Sequence, residues 1–172
     1  MALIVAGLDK AVHDRTAFSC GAPALDDFLK TKAAQHQARR LSRTFVLTDS
    51  AEPRRIIGCY SLSNSQVARE QLSASEAKAL PRHPIPAVLL ARLAVGRPQQ
   101  GERYGHWLLM DAIKRCALVG QQSGVYALLV DARNEGVKRF YERFGFVAIA
   151  GHPMNLYLPL ETALKAVQSA QD

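Results

Sequence analysis

The chain of 172 residues is 48% hydrophobic and 22% charged, a composition typical of one globular domain and unlike that of disordered or fibrous chains. Its 22 Lys and Arg outnumber its 15 Asp and Glu, which gives a formal net charge of +7 and an isoelectric point near 9.6. This excess favours polyanionic partners, and charge alone does not choose among them.

The first half of the chain predicts a short opening strand, a helix over 24–38, a hairpin and a second helix. Residues 43–48 and 56–67 are rich in β-branched and aromatic residues and flank a polar turn, as in a hairpin. Residues 71–80 favour helix, and three prolines then impose an extended connection. The first helix carries apolar residues on one face, namely Leu25, Phe28, Leu29 and Ala33.

The second half predicts a central strand over 87–95, because this run is apolar except for Arg92. The later elements are a loop over 96–105, helices over 104–119 and 135–144, a strand over 125–130, one or two strands within 146–160 and a short helix after Glu161. The helix over 104–119 aligns Leu108, Ala112 and Cys116 on one side. This order of elements predicts an α/β unit on a mixed sheet.

The loop after the central strand is a candidate phosphate site. A buried strand that leads through a glycine-containing loop into a helix leaves backbone N–H groups and the positive end of the helix dipole around one point. Such a point binds phosphate. The alternative is that Gly101 and Gly105 serve only the conformation of the turn.

A second informative segment covers residues 134–146. Phe140 and Phe144 mark the apolar face of its helix, and Tyr141 lies one position from that face. Tyr141 is therefore either a packing residue or a reactive group.

Together the two segments resemble the GNAT acetyltransferases, whose loop reads Gln/Arg-x-x-Gly-x-Gly/Ala and whose later helix carries Asn-x-x-Ala-x-x-x-Tyr followed by Gly-Phe. The matching residues are Gln100 and Gly105 in the loop and Asn134, Tyr141, Gly145 and Phe146 in the second segment. Arg103 replaces the middle glycine and Val137 replaces the small residue. We expect Arg103 to require a backbone without positive φ and to add a cation beside the pyrophosphate.

This resemblance implies a GNAT fold, with a central mostly antiparallel sheet flanked by helices, and one N-acetyltransferase domain over residues 1–172. It also implies acetyl-coenzyme A as cofactor and Tyr141 as the catalytic acid that protonates the departing thiolate. The cofactor-binding residues that it implies are Leu93, Ala94, Val95, Gln100, Gly101, Glu102, Arg103, Tyr104, Gly105 and Asn134.

The resemblance extends to the GNAT toxins of toxin-antitoxin pairs. It is carried by Phe18-x-Cys20-Gly21, Ser42-Arg43-Thr44-Phe45-Val46, Pro84-Ile85-Pro86, Arg92-Leu93-Ala94-Val95 and the run from Phe140 to Phe146. This branch implies acetylation of the α-amino group of aminoacyl-tRNA, an antitoxin of ribbon-helix-helix type and a homodimer. Arg39, Arg40, Arg43 and Arg92, with Lys30, Lys32 and Arg82, are candidates for a basic track that binds the tRNA phosphates. The alternative is that they are scattered solvated charges on helix faces.

The chemistry suits an α-amino substrate. A tyrosine with a pKa of about 10 is protonated at neutral pH and matches a leaving alkyl thiol. Glu135 and Glu142 offer no convincing general base, and an α-amino group with a pKa of about 7.7–8.0 needs less help than a lysine near 10.4. The alternatives are acetylation of a small amine or a protein N-terminus, and a catalytically silent coenzyme A-binding module.

Several other features are expected to be structural. Cys20, Cys59 and Cys116 lack CxxC spacing and the five histidines lack ligand spacing, so we expect buried reduced thiols and no metal. Trp107 and Met110 are expected to lie in the core. No apolar run approaches the roughly 20 residues of a membrane-spanning helix, and the opening residues are interrupted too early for a secretory signal, which predicts a cytoplasmic protein without membrane contact.

Overall fold

The computed structural model describes residues 2–169, which form seven strands, six α-helices, one π-helical turn and two 3-10 turns. The strands are β1 (Leu3–Gly7), β2 (Arg43–Asp49), β3 (Gly58–Val67), β4 (Ile85–Val95), β5 (Ala127–Asp131), β6 (Val147–Ile149) and β7 (His152–Pro159). The α-helices are α1 (Pro23–Asp27), α2 (Ala33–Ala38), α3 (Ala74–Ala79), α4 (Tyr104–Gly120), α5 (Glu135–Glu142) and α6 (Leu160–Ser169).

The seven strands form one sheet in the order β1-β2-β3-β4-β5-β7-β6. Four strand pairs are antiparallel, namely β1 with β2, β2 with β3, β5 with β7 and β6 with β7. The pair of β4 and β5 is parallel. A parallel pair needs a crossover connection, which α4 supplies. The predicted mixed, mostly antiparallel sheet is confirmed. Among the described residues, no helix is both long and apolar enough to cross a membrane.

The chain divides into two compact units, each with its own core. Among the described residues, the first unit holds those up to Ser63 and Ala91–Ala112, and the second holds Asn64–Leu90 and those from Ile113 to Ser169. Buried side chains of the first unit include Phe18, Phe28, Leu29, Val46, Cys59 and Ala94. Those of the second include Val67, Leu72, Ile85, Ala127, Leu129, Ile149 and Tyr157.

The first predicted helix is present but not uniform. A π-helical turn at Phe28–Lys32 separates α1 from α2. The hydroxyl of Thr31 donates a hydrogen bond of 2.8 Å to the carbonyl of Asp27, a contact that competes with the regular ladder. Phe28, Leu29 and Ala33 are all buried.

Two other helices are shorter than predicted. α3 begins after Ser73, whose hydroxyl accepts a hydrogen bond of 3.3 Å from the backbone N–H of Glu76. The 3-10 turn at Arg69–Gln71 precedes it as a separate element. α5 ends at Glu142 rather than at residue 144, and Gly145 follows with φ +94. That left-handed conformation favours glycine and ends the helix.

The predicted buried face of α4 is confirmed, but the expectation for Trp107 was wrong. Leu108, Ala112 and Cys116 are fully buried, whereas 49% of the Trp107 surface is exposed. Trp107 precedes Leu108 by one position, about 100° around the helix, and so leaves the buried face. Met110 is half-buried.

All three cysteines are buried thiols, as the sequence predicts. Burial raises the pKa of the Cys59 and Cys116 thiols to about 12. These two side chains are therefore neutral packing residues at physiological pH.

We predict that Gly58→Ala destabilises the protein, because the added methyl carbon would lie 2.9 Å from the carbonyl oxygen of Ala94 and 2.8 Å from the side chain of Leu108. The backbone of β4 has to move to relieve this clash, so we expect a loss of about 1–3 kcal/mol in the free energy of unfolding by urea. Gly124→Ala is the matched control, because the same methyl group would only touch Pro86 at 3.7 Å. Equal stability of both variants would contradict the close approach.

Candidate active site

Hydrogen bonds hold the loop after β4 against other segments of the first unit. The backbone N–H of Gly96 donates to the carbonyl of Ile57, and that of Arg97 donates to the carbonyl of Ser19, both at 2.8 Å. A 3-10 turn at Arg97–Gln99 follows. The loop is therefore fixed before it reaches the glycines.

The side chain of Gln100 completes this attachment. Its amide nitrogen donates to the carbonyl of Cys20 at 2.7 Å and to that of Val95 at 2.9 Å. Because both N–H donors are used inside the protein, the geometry favours a bracing role for Gln100 over donation to a phosphate.

Residues 101 and 103 adopt the left-handed backbone conformation. Gly101 has φ +88, and Arg103, directly before α4, has φ +67. The expectation that Arg103 requires a backbone without positive φ was wrong. The turn into α4 places Arg103 in the left-handed conformation, which costs a non-glycine residue about 1–2 kcal/mol.

The backbone N–H groups of residues 101–105, which we call the amide cluster, point to an anionic ligand. Within the described residues they donate no hydrogen bond to another protein group. They precede and begin α4, a helix of 17 residues whose dipole places partial positive charge at this end. A Cβ added at Gly101 would have no neighbour within 4 Å, so space is open there. The unpaired N–H groups, the positive end of the α4 dipole and the open space at Gly101 together fit a diphosphate.

Strand β4 changes its backbone just before the loop. Arg92 has φ +55 within the strand, a conformation that interrupts the regular pleat. Leu93 and Val95 are half-buried, and Ala94 between them is buried. Such an interruption can direct backbone groups of Leu93, Ala94 and Val95 away from the ladder.

The guanidinium of Arg92 stacks on an aromatic ring. Its central carbon lies 3.8 Å from the centroid of the Phe28 ring, a cation–π contact. Desolvation by the surrounding protein lowers the pKa of Arg92. Phe28 in turn contacts His36 edge-on at 5.3 Å.

The other predicted tRNA-binding residues lie on the surface. Arg39 ends α2, Arg40 follows with φ +61 and Arg43 begins β2, and all three side chains are exposed. Lys30 and Lys32 are exposed on the π-helical turn. These five residues belong to the first unit, and Arg82 belongs to the second.

Tyr141 lies on α5 in the second unit and is only 4% exposed. Its ring contacts Phe140 and Phe146 at centroid distances of 5.2 and 5.3 Å. Burial raises the pKa of the Tyr141 phenol above its ordinary value, with a smaller lowering by Arg133 and a smaller raising by Asp131. The phenol therefore stays protonated at neutral pH. The charged side chains that act on it are Asp131, at the end of β5, and Arg133, before α5.

Asn134 caps α5. Its side-chain oxygen accepts a hydrogen bond of 2.9 Å from the backbone N–H of Val137. This contact fixes the start of the helix that carries Tyr141 and accounts for an Asn here without a ligand. Glu135 and Glu142, the carboxylates considered as bases, are exposed on the same helix.

Sequence reasoning missed a group of arginines in the first unit. A cavity of about 640 Å³ is lined by Arg54, Arg55 and Arg97. The other loop residues between Gly96 and Gln99 form part of its wall. The adjacent pair Arg54-Arg55 in the turn between β2 and β3 was the available signal. Among the residues described, no three His, Cys, Asp or Glu side chains are placed to hold a metal ion.

Comparisons with known proteins identify the family of the chain. The sequence model of the Acetyltransferase (GNAT) family matches residues 12–146. A tRNA-acetylating toxin from Mycobacterium tuberculosis is 36% identical over 150 residues, which cover 87% of this chain and 88% of the relative.

Solved structures extend the similarity to the fold. AtaT complexed with acetyl-methionyl-tRNAfMet has a TM-score of 0.88 and 29% identity, with 99% of this chain and 100% of that one covered. A Tyr-to-Phe mutant of AtaT bound to the C-terminus of the antitoxin AtaR and acetyl-CoA has a TM-score of 0.80 and 26% identity, with 98% of each chain covered. With the family match over most of its length, this chain belongs to the acetyltransferase (GNAT) family, in the branch that contains these toxins.

Proposed function

We propose that this chain is a toxin that transfers acetyl from acetyl-CoA to the α-amino group of aminoacyl-tRNA and thereby blocks translation. The observation that carries the proposal is the amide cluster at the positive end of α4, which offers a diphosphate unpaired donors on a braced loop. The M. tuberculosis relative and the AtaT complex support the choice of substrate.

The cofactor is assigned to the loop and to β4. Gly101, Glu102, Arg103, Tyr104 and Gly105 hold the diphosphate through the amide cluster, and Arg103 adds a cation. Gln100 contributes by bracing the loop, and Asn134 by capping α5.

The end of β4 is assigned to the reacting group. Leu93 lines the path to it, and the backbone N–H groups of Ala94 and Val95 stabilise the negative charge that develops on the acetyl oxygen. When bound, acetyl-CoA supplies the acetyl group as a thioester.

Tyr141 is the catalytic acid in this proposal. The neutral amine attacks the thioester carbonyl, a C–N bond forms, and the C–S bond breaks. Tyr141 gives its phenolic proton to the departing sulfur and regains one from the amine nitrogen, directly or through water. Its raised pKa keeps the proton available over the physiological range.

The surroundings of Tyr141 support an α-amino substrate. Glu135 and Glu142 are exposed, so neither is held as a general base in a protected site. An α-amino group with a pKa of about 7.7–8.0 is partly neutral without a base, whereas a lysine near 10.4 is not. The relatives give no support to the alternative of an N-acetyltransferase for a small amine or a protein N-terminus, and tRNA dependence of the reaction separates the two.

The partners follow from the proposed substrate. Arg39, Arg40, Arg43 and Arg92 are assigned to tRNA phosphates. The AtaR complex supports a cognate antitoxin, which we propose is of ribbon-helix-helix type, and we propose a homodimer that acts in the cytoplasm. Residues 1–172 are proposed as one N-acetyltransferase domain, because β3, β4 and α4 each run from one unit into the other.

The direct test incubates the purified protein with acetyl-CoA and a pool of charged tRNA, and identifies the products by mass spectrometry. We expect N-acetylated aminoacyl-tRNA and arrest of a translation extract that depends on acetyl-CoA. Acetylation of small amines or peptides at equal rates without tRNA would favour the alternative. Cofactor binding without any acetyl transfer would leave a silent binding module.

We predict that Tyr141→Phe lowers kcat for acetyl transfer by about 10²–10⁴-fold, because the proton donor is lost while the ring packing is kept. Calorimetry should show unchanged acetyl-CoA affinity. In the wild type, the single-turnover rate should rise from pH 6 through the pKa of the α-amino group, about 7.7–8.0, as the neutral amine becomes the major form. It should then approach a plateau toward pH 9 and not fall, because the phenol with its raised pKa remains protonated. A wild-type rate in the Phe variant would end the assignment.

We predict that Arg103→Gly weakens acetyl-CoA binding without loss of stability. Glycine relieves the strain at φ +67 but gains freedom in the unfolded chain, and these two effects are each about 1 kcal/mol and opposed. The lost cation should raise KM for acetyl-CoA severalfold at low salt and less at high salt. Equal KM values at low salt would show that the Arg103 side chain makes no contact with the cofactor.

We predict that the pair Arg39→Gln with Arg40→Asn raises KM for charged tRNA and makes it less sensitive to salt, because fewer phosphates are neutralised. Asparagine is chosen at position 40 because it tolerates the φ of +61 there. The control pair Lys78→Gln with Lys165→Gln removes the same charge from exposed positions of the second unit. If both pairs behave alike, only net charge matters.

A further inference from the structure

The strongest unassigned feature is the basic cavity of the first unit. Its volume is about 640 Å³, and three arginines line it, namely Arg54, Arg55 and Arg97. The wall also includes Phe18 and Ile56, both of which are buried. The cavity therefore combines apolar surface with concentrated positive charge.

This positive charge is not neutralised inside the protein. Within the described residues, the guanidinium groups of Arg54 and Arg97 make no hydrogen bond or ion pair. Arg55 approaches Glu52 at 3.6 Å, but both side chains are more than half exposed, so this pair is weak. Like charges that face one cavity repel each other, and an anion between them would relieve that repulsion.

The one carboxylate of the cavity is already engaged. Oδ1 of Asp14 accepts hydrogen bonds from the hydroxyl of Thr16 at 2.7 Å and from the backbone N–H groups of Thr16 and Ala17. These contacts lower the pKa of Asp14 more than Arg54 does. Asp14 therefore shapes its own turn, while the guanidinium groups of Arg54 and Arg97 remain for a ligand and that of Arg55 is engaged only by its weak pair with Glu52.

The walls of the cavity are fixed to one another. The backbone N–H of Asp14 donates to the carbonyl of Arg54, and the backbone N–H of Arg97 donates to that of Ser19, each at 2.8 Å. The guanidinium of Arg97 lies against the backbone of Gly21, where an added Cβ would be 3.1 Å from its Nε. A ligand would meet arginines on a preformed frame, which reduces the entropy lost on binding.

We propose that the basic cavity is a phosphate-binding subsite for a phosphorylated organic ligand. Guanidinium groups match phosphate oxygens with paired hydrogen bonds, and the apolar wall suits the framework that carries the phosphate. The cavity shares residues 96–99 with the loop that leads into the amide cluster, so a phosphate here would sit beside the proposed cofactor diphosphate.

Two sources can bring such a phosphate, and this inference rests on the proposed function for both. One is the 3′-phosphate of coenzyme A, and the other is a backbone phosphate of the tRNA. The chemistry of recognition is the same, so the experiment has to separate the sources.

The test measures binding without turnover, so that it stands apart from the acetylation assay. Arg54→Gln and Arg97→Gln are compared with Lys165→Gln, which removes one charge from an exposed position of α6. The probes are coenzyme A, dephospho-coenzyme A, which lacks only the 3′-phosphate, and uncharged tRNA at several salt concentrations. Thermal unfolding of each variant checks that the fold is kept. Arg54 lies in an exposed turn, so Arg54→Gln still tests the cavity if Arg97→Gln fails to fold.

If coenzyme A is the source, the arginine variants lose about tenfold or more in affinity for coenzyme A and nothing for dephospho-coenzyme A. If tRNA is the source, affinity for tRNA falls and the slope of log affinity against log salt becomes less negative by about one per arginine. The proposal is overturned if folded Arg54→Gln and Arg97→Gln bind all three probes as Lys165→Gln does. Failure of the proposed function alone would instead appear as absent acetyl transfer with this binding intact.

Discussion

The structure depends on how β4 is joined to α4. The connection leaves the amide cluster without acceptors in the protein, at the end of α4 where the helix dipole is positive. Donors of this kind are satisfied by a ligand or by water, and the loop that presents them is held in place by a brace elsewhere. The brace consists of Gln100 on the carbonyls of Cys20 and Val95 and of Gly96 on Ile57.

Tyr141 is likewise held in place by residues around it. Two aromatic rings hold its side chain, and the cap at Asn134 fixes the start of its helix. Burial raises the pKa of the phenol, which keeps it protonated at neutral pH but makes it a weaker acid toward the departing thiolate than an unperturbed tyrosine. Residues that the family pattern suggests as ligands, such as Gln100 and Asn134, thus contribute through the backbone that they position.

Much of this could be predicted from the sequence, because the signals were local. The apolar run of β4, the buried face of α4 and the glycine-containing loop each depend on residues that are close in the sequence. The resemblance to the family then predicted that Tyr141 and the loop belong to one acetyltransferase site. The π-helical turn at Phe28–Lys32, the positive φ of Arg103 and the exposure of Trp107 depend on tertiary packing and were missed or wrong. The basic cavity was also missed, since it joins arginines from positions 54, 55 and 97 that no local pattern connects.

We infer that the amide cluster holds the cofactor diphosphate. Hydrogen–deuterium exchange of the peptide that covers residues 101–105 tests this assignment directly, with coenzyme A compared with pantetheine, which lacks the diphosphate. We expect coenzyme A to slow exchange of these amides and pantetheine at saturating concentration to leave it unchanged. Exchange that is unchanged by coenzyme A, or slowed equally by both compounds, would show that the diphosphate does not bind here.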